Sequence, residues 1–195
     1  MQRVLGKNGG VIWKRANGLD NTPVIPFCER KSISTERTFD KDTIDTVKLK
    51  GILIAMTENL AYQLRRGEKL TACIAVKIRY SDFNTYSKQL RIPYTSADHI
   101  LIPKILEVFK ALYNRRLLVR LIGIRCSHLV SGNYQINLFE DTQEALNLYK
   151  AMDHMRNKYG DKIVTRASAM GKNSIGRIQN PFNGQPPIVL AHRKL

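Results

Sequence analysis

Acidic side chains are scarce in this chain: 16 Asp and Glu stand against 32 Lys and Arg, for a formal charge of +16. An imbalance of that size speaks to partners rather than to fold, and the partner it calls for is a polyanion: DNA, RNA or an anionic membrane. Cysteine is scarce too. The three present, Cys28, Cys73 and Cys126, are odd in number, widely spaced and form no C-x-x-C pair. That argues against a disulfide frame or a zinc site and for reduced cytosolic thiols. Long apolar runs are missing: nothing approaches the roughly 18 residues that cross a bilayer. The opening Met1-Gln2-Arg3-Val4 shows no signal-peptide core, so a cytoplasmic location is expected. What remains is 195 residues, 43% of them hydrophobic, enough for one domain with its own core plus appendages.

The basic residues fall inside alternating, strand-like segments rather than along an amphipathic helix with an aromatic face. Nucleic acid is therefore the expected partner, and a membrane is not. Residues 5–18 read as the end of a helix, with Gly9-Gly10 at its opening and Asn17-Gly18 as its stop. Pro23 and Pro26 predict an extended linker. Residues 31–39 alternate and are rich in Thr and Ile, which reads as a strand. Asp40-Lys41-Asp42 leads into a helix over roughly residues 43–66, with Leu49, Leu53, Met56, Leu60 and Leu64 on one stripe. Asp40, Asp42 and Asp45 at its start read as partners of the helix dipole rather than as metal ligands.

Residues 70–80 switch to period two. Leu70, Ala72, Ile74, Val76 and Ile78 share one face, and Thr71, Cys73, Ala75, Lys77 and Arg79 the other. After a turn at Asp82-Phe83-Asn84, residues 86–92 complete a hairpin. Ser96 and Asp98 are expected to cap a helix that buries Leu101, Ile105, Phe109 and Leu112, with Pro103 in its first turn. Residues 117–126 form the last strand, with Gly123 a candidate bulge. The order strand, helix, strand, strand, helix, strand predicts an α+β fold of the split β-α-β kind, a four-stranded sheet with both helices on one face. The other face is expected to stay open and to carry Lys77, Arg79, Arg91, Arg37 and Arg125, a platform for a duplex backbone.

Beyond a glycine break at Gly132, Gln135-Ile136-Asn137-Leu138-Phe139 make a short apolar peg. The Gln135 amide can hydrogen-bond at the rim of a pocket whose apolar slot takes Leu138 and Phe139, the way many partners engage the bacterial DNA sliding clamp. Asp141-Thr142-Gln143-Glu144 has the form of a capping box. It opens a helix whose packing stripe is Ala145, Leu148, Met152, Met155 and Tyr159, stopped by Gly160. Residues 162–168 read as a short strand, and the Gly, Asn, Pro and Lys beyond Met170 predict a flexible tail.

Leu5-Gly6-Lys7, Ala16-Asn17-Gly18-Leu19-Asp20 and Pro23-Val24 resemble the end of the thumb domain in Y-family translesion DNA polymerases of the DNA polymerase IV type. Arg30-Lys31-Ser32-Ile33-Ser34-Thr35-Glu36-Arg37-Thr38-Phe39 resembles the linker and first strand entering their little-finger domain. Leu64-Arg65-Arg66, Ile122-Gly123-Ile124-Arg125 and the Gln135 peg are further matches. The resemblance implies a thumb end and linker over 1–28, a little finger over 29–131 and a clamp-binding peptide over 132–140. A helix and strand extension over 141–169 and a tail over 170–195 would follow.

It also implies a grip on primer-template duplex through strand backbone amides and basic side chains. The candidates are Lys31, Ser32, Ser34, Thr35 and Arg37 on the first strand, Lys77, Arg79, Lys88 and Arg91 on the hairpin, and Arg120 and Arg125 on the last strand. Contacts of this kind position a protein without specifying sequence. Gln135, Leu138 and Phe139 are the implied clamp contacts, in a protein expected at the nucleoid. No cofactor is expected in this chain. The Mg²⁺ of two-metal nucleotidyl transfer belongs in that family to a palm domain, so the chain alone is expected to extend no primer. A second reading is a stand-alone, non-catalytic DNA- or clamp-binding accessory protein. A ribosomal-type RNA binder would explain the charge, but neither the peg nor the first-strand motif. The helix after the peg could fold back over it.

Overall fold

The computed structural model describes residues 6, 8–23, 29–132, 143–160 and 163–169, and the chain divides into two compact units, one ending at Glu29 and the other starting at Arg30. The first unit holds helix α1 (Asn8–Ala16). It stops where the sequence predicts because Gly18 takes φ +74°, a conformation glycine adopts without strain. The Leu19 N–H then donates to the Lys14 carbonyl (2.9 Å) and the Gly18 N–H to that of Arg15 (3.0 Å), the paired closure of a glycine-ended helix.

The second unit runs β1 (Ser32–Thr43), α2 (Thr46–Arg66), β2 (Lys69–Tyr80), β3 (Thr85–Thr95), α3 (Asp98–Leu112), β4 (Val119–Ser131), α4 (Gln143–Tyr159) and a 3-10 turn at Ala167–Ala169. Its strands form one antiparallel sheet in the order β1-β4-β2-β3, the α+β arrangement expected. One face of the sheet carries the core. Ile74, Val76 and Ile78 of β2, Ile122 and Ile124 of β4 and Phe39 of β1 pack against Leu49, Leu53, Met56 and Leu60 of α2 and Leu101, Ile105 and Phe109 of α3. Each such Leu, Ile, Val or Phe contributes about 1.5–3 kcal/mol by leaving water. Cys126 lies among them, and burial pushes its thiol up to about 12, so it packs rather than reacts. No helix among the described residues is long and apolar enough to cross a membrane.

Several boundaries differ from the sequence expectation for identifiable reasons. β1 continues past Phe39 because Thr43 pairs with Val119 beyond an irregularity after Thr38. Asp40 and Asp42 are therefore strand residues, and Asp45 alone serves α2. Its carboxylate accepts from the Val47 and Lys48 N–H groups at 2.9 and 3.0 Å, which satisfies donors a helix start otherwise orphans. Neither Ser96 nor Asp98 caps α3. The N-cap is Ala97, without a side-chain cap, and the Ser96 carbonyl and Asp98 carboxylate are turned to Arg65 instead. Pro103 lies in the helix interior rather than in its first turn, so one rung of the α3 ladder is missing. β4 runs on to Ser131, held by pairing with β2 as far as Lys69.

The largest departure is α4. Most of the expected stripe points outward: Leu148, Met155 and Tyr159 are 59%, 40% and 57% exposed and Ala145 and Met152 are half-buried, while Tyr149 and Arg156 are buried. The helix docks through polar groups. Arg65 of α2 makes a two-pronged contact with Asp153 (Nε–Oδ2 2.6 Å, Nη2–Oδ1 2.9 Å). Its Nη1 reaches Asp98 Oδ1 at 2.7 Å and the Ser96 carbonyl at 2.9 Å, and its guanidinium lies 4.8 Å from the Tyr149 ring centre. Burial works against the Arg65 charge, but Asp153 and Asp98 more than offset it and its pKa lies above the ordinary value. A helix that buries charged partners leaves its apolar stripe to solvent. Nor do residues 163–169 form the expected strand: the Val164 carbonyl accepts from Arg156, and Ala167–Ala169 closes a 3-10 turn.

Glu58 of α2 is buried beneath this contact. Burial first, and the Asp98 charge second, raise its carboxyl above the ordinary range. A raised folded-state pKa gives stability that is present below the unfolded value and is lost as pH rises through the folded one. Glu58→Gln should therefore melt at a higher temperature than the parent near pH 7, with the gap closing below about pH 4.3. A lower melting temperature at pH 7 would show instead that the Arg166 ion pair, at 3.1 Å, outweighs the burial of the carboxylate.

Candidate nucleic-acid interface

Strand side chains alternate between faces, so register decides which residues share the face away from α2 and α3. Reading across β1-β4-β2-β3, that face consists of the rows Thr38–Leu121–Arg79–Thr85, Glu36–Gly123–Lys77–Ser87, Ser34–Arg125–Ala75–Gln89 and Ser32–Ser127–Cys73–Arg91. By the same parity Lys69, paired with Ser131, stands on β2 beyond these rows; within them stand four cations, Lys77, Arg79, Arg91 and Arg125, with one carboxylate, Glu36. At strand rises of ~3.3 Å per residue and strand spacings of ~4.8 Å, they cover a patch of roughly 20 Å by 10 Å.

The four are not equivalent. Arg91 and Arg125 are exposed and have no hydrogen-bond or ion-pair partner among the described residues. Arg79 Nε donates to Thr85 Oγ1 at 2.8 Å, which orders the guanidinium without neutralising it. Lys77 Nζ donates to Glu36 Oε1 at 2.6 Å. Ser32 and Ser34 share this face, and Lys31 is exposed just before β1.

Other candidates fall elsewhere. Thr35 and Arg37 pair with Ile124 and Ile122, both buried in the core. Parity therefore puts Thr35 and Arg37 on the helix side of β1, not on the open face assigned to Arg37. Ile33 and Phe39 of the same motif pack into the core, and every second residue between them follows. Lys88 pairs with Val76 and is likewise on the helix side, exposed on edge strand β3. Arg120 sits at the irregularity where Arg79 pairs with Leu121 but Tyr80 pairs with Val119. Its guanidinium is 3.9 Å from Asp42 and 4.7 Å from the Phe83 ring centre. Gln135, Leu138 and Phe139 lie outside the described residues.

Gly123 is no bulge, because the register passes through it unbroken on both sides. A Cβ there would stand 2.7 Å from Glu36 Cγ, so glycine serves a close approach of the neighbouring strand's side chain. Glu36 is the interface residue that sequence reasoning missed. Its place in an alternating motif was visible, but its partner two strands away was not. Among the described residues no group of three or more His, Cys, Asp or Glu is placed to hold a metal ion. Asp45 is engaged at α2 and Asp42 neighbours Arg120.

Residues 30–138 match the model of the impB/mucB/samB family C-terminal domain. The chain is 35% identical to DNA polymerase IV of Clostridium acetobutylicum over 170 residues, covering 85% of this chain and 43% of that protein. It is 28% identical to DNA polymerase IV 1 of Bacillus subtilis over 192 residues, covering 94% and 46% respectively. The chain thus spans less than half the length of these curated relatives. A solved complex of beta-clamp processivity factor and little finger domain of PolIV matches 56% of this chain and 99% of that one, with a TM-score of 0.43 at 19% identity. That likeness is too slight to bear on function.

Proposed function

The chain belongs to the impB/mucB/samB family, whose C-terminal domain its residues 30–138 match, and from that premise we propose that its second unit grips primer-template duplex DNA for a translesion DNA polymerase. The observation that carries this reading is the set of four cations in those rows, on the face of the sheet away from α2 and α3. Arg and Lys on a broad surface suit phosphate oxygens, and such contacts hold a duplex whatever its sequence. A polymerase working on any template needs that tolerance. Gln135, Leu138 and Phe139 are the proposed tether to the sliding clamp, in the bacterial cytoplasm at the nucleoid. No catalytic role is assigned to the described residues; the Mg²⁺ of nucleotidyl transfer belongs in this reading to carboxylates outside them.

Fluorescence anisotropy of the chain with labelled duplexes of unrelated sequence tests the grip. If Arg79, Arg91 and Arg125 each neutralise one phosphate and Lys77 part of another, log K falls with log salt at a slope of about −3, a loss of roughly 60-fold between 50 and 200 mM. Binding indifferent to salt, or confined to one sequence, rules the reading out. In the same preparation Leu138→Ala with Phe139→Ala should abolish capture of the clamp while leaving duplex binding intact. Unchanged capture returns those two residues to packing.

A further inference from the structure

We propose that Glu36 is a built-in counter-charge that limits how tightly this face holds DNA, by competing with the phosphate backbone for Lys77; the inference rests on the DNA-binding reading above. β1 and β2 are not neighbours, since β4 lies between them. Two strand spacings, about 9.6 Å, separate their backbones. Even so, the Glu36 carboxylate meets the Lys77 ammonium at 2.6 Å. It reaches by lying across Gly123, the residue paired with both. A Cβ at that position would stand 2.7 Å from Glu36 Cγ and 3.3 Å from Cδ, so the missing side chain makes the path.

Stability does not account for this arrangement. The two side chains are 39% and 43% exposed, and exposed ion pairs contribute little to folding. The consequence for binding is larger. Glu36 is the one carboxylate in the four rows, with Arg125 two residues from Gly123 on β4 and Arg79 two residues from Lys77 on β2. A phosphate approaching Lys77 meets a carboxylate already on the ammonium and has to displace it or share it. Both weaken the contact. A surface shaped for affinity alone would carry a neutral residue here. A surface that must let duplex pass, one step at a time, gains from a cation that is easily given up.

Glu36→Gln keeps the shape over Gly123 and removes the charge, and Glu36→Ser repeats the test with a residue type already present on the same face at Ser34. Each should bind duplex roughly three- to tenfold more tightly than the parent at about 50 mM salt, with a salt slope steeper by about 0.9. On a Lys77→Gln background the gain should vanish. Unchanged or weaker binding overturns the proposal and makes Glu36 an organiser of Lys77; a gain that survives without Lys77 overturns it too, since Glu36 then acts on the phosphates independently of that lysine. The parent chain separates the two levels: if it binds no duplex, the DNA-binding reading and this inference fall together. Salt-sensitive parental binding without the Glu36 effect sinks this inference alone.

Discussion

Replacing Arg79, Arg91 and Arg125 together by Gln should weaken duplex binding by on the order of 10³-fold at about 50 mM salt and flatten the salt slope by about 2.7. These three stand on the face away from α2 and α3 and none is held by a carboxylate among the described residues, so each is offered to a phosphate. The informative control is Arg37→Gln with Lys88→Gln. Both residues belong to strands of the same sheet, and both carry the same charge, but register puts them on the helix side. That pair should cost less than about threefold, while bulk charge alone would make any two cations equivalent. If the control costs as much as two of the face residues, DNA is being held by the net charge of the protein rather than by this surface.

Arg65→Ala should lower the thermal unfolding midpoint by roughly 6–20 °C. Asp98 is fully buried and Asp153 is half-buried, with side-chain exposures of 0% and 17%, and Arg65 pairs with both. Removing one member of a buried ion pair leaves the other charge without compensation and costs ~3–5 kcal/mol. In a chain of this size each kcal/mol moves the midpoint by about 2–4 °C. Adding Asp98→Ala to Arg65→Ala should recover part of the loss, since the stranded carboxylate is then gone. A calorimetric shift of less than about 2 °C for Arg65→Ala would mean that water reaches Asp98 and that α4 is held by something else. Asp153→Ala should be milder, because Arg65 keeps Asp98 and the Ser96 carbonyl.

These contacts mark how far a one-dimensional reading reaches. The stripe Leu49, Leu53, Met56, Leu60 and Leu64 predicted α2 and its buried side, because an amphipathic helix repeats its environment every turn. The same logic failed for α4. There the apolar spacing of Leu148, Met155 and Tyr159 was equally regular, yet the buried side holds Tyr149 and Arg156. A helix laid on an already filled core meets what the surface beneath it offers. Here that surface is Arg65, Asp98 and Glu58, and its partner Asp153 lies 88 residues from Arg65 in sequence. The start of α3 differs from its sequence pattern for a related reason: Ser96 and Asp98 have the chemistry of caps, but a buried guanidinium competes for them and wins.

The candidate interface divides along the same line. Excess positive charge, the order of strands and helices, the glycine-ended α1 and the packing of α2 and α3 on one sheet face were all legible in the residues. Each depends on composition or on periodicity within a single segment. Which cations stand on that face was not. Shifting a strand by one residue exchanges its two sides, so Arg37 and Lys88 could be assigned only once Ile122 and Val76 were known to lie opposite them. The meeting of Glu36 with Lys77 above Gly123 depends on three strands at once. No local pattern encodes a contact among residues brought together only by the pairing of distant segments.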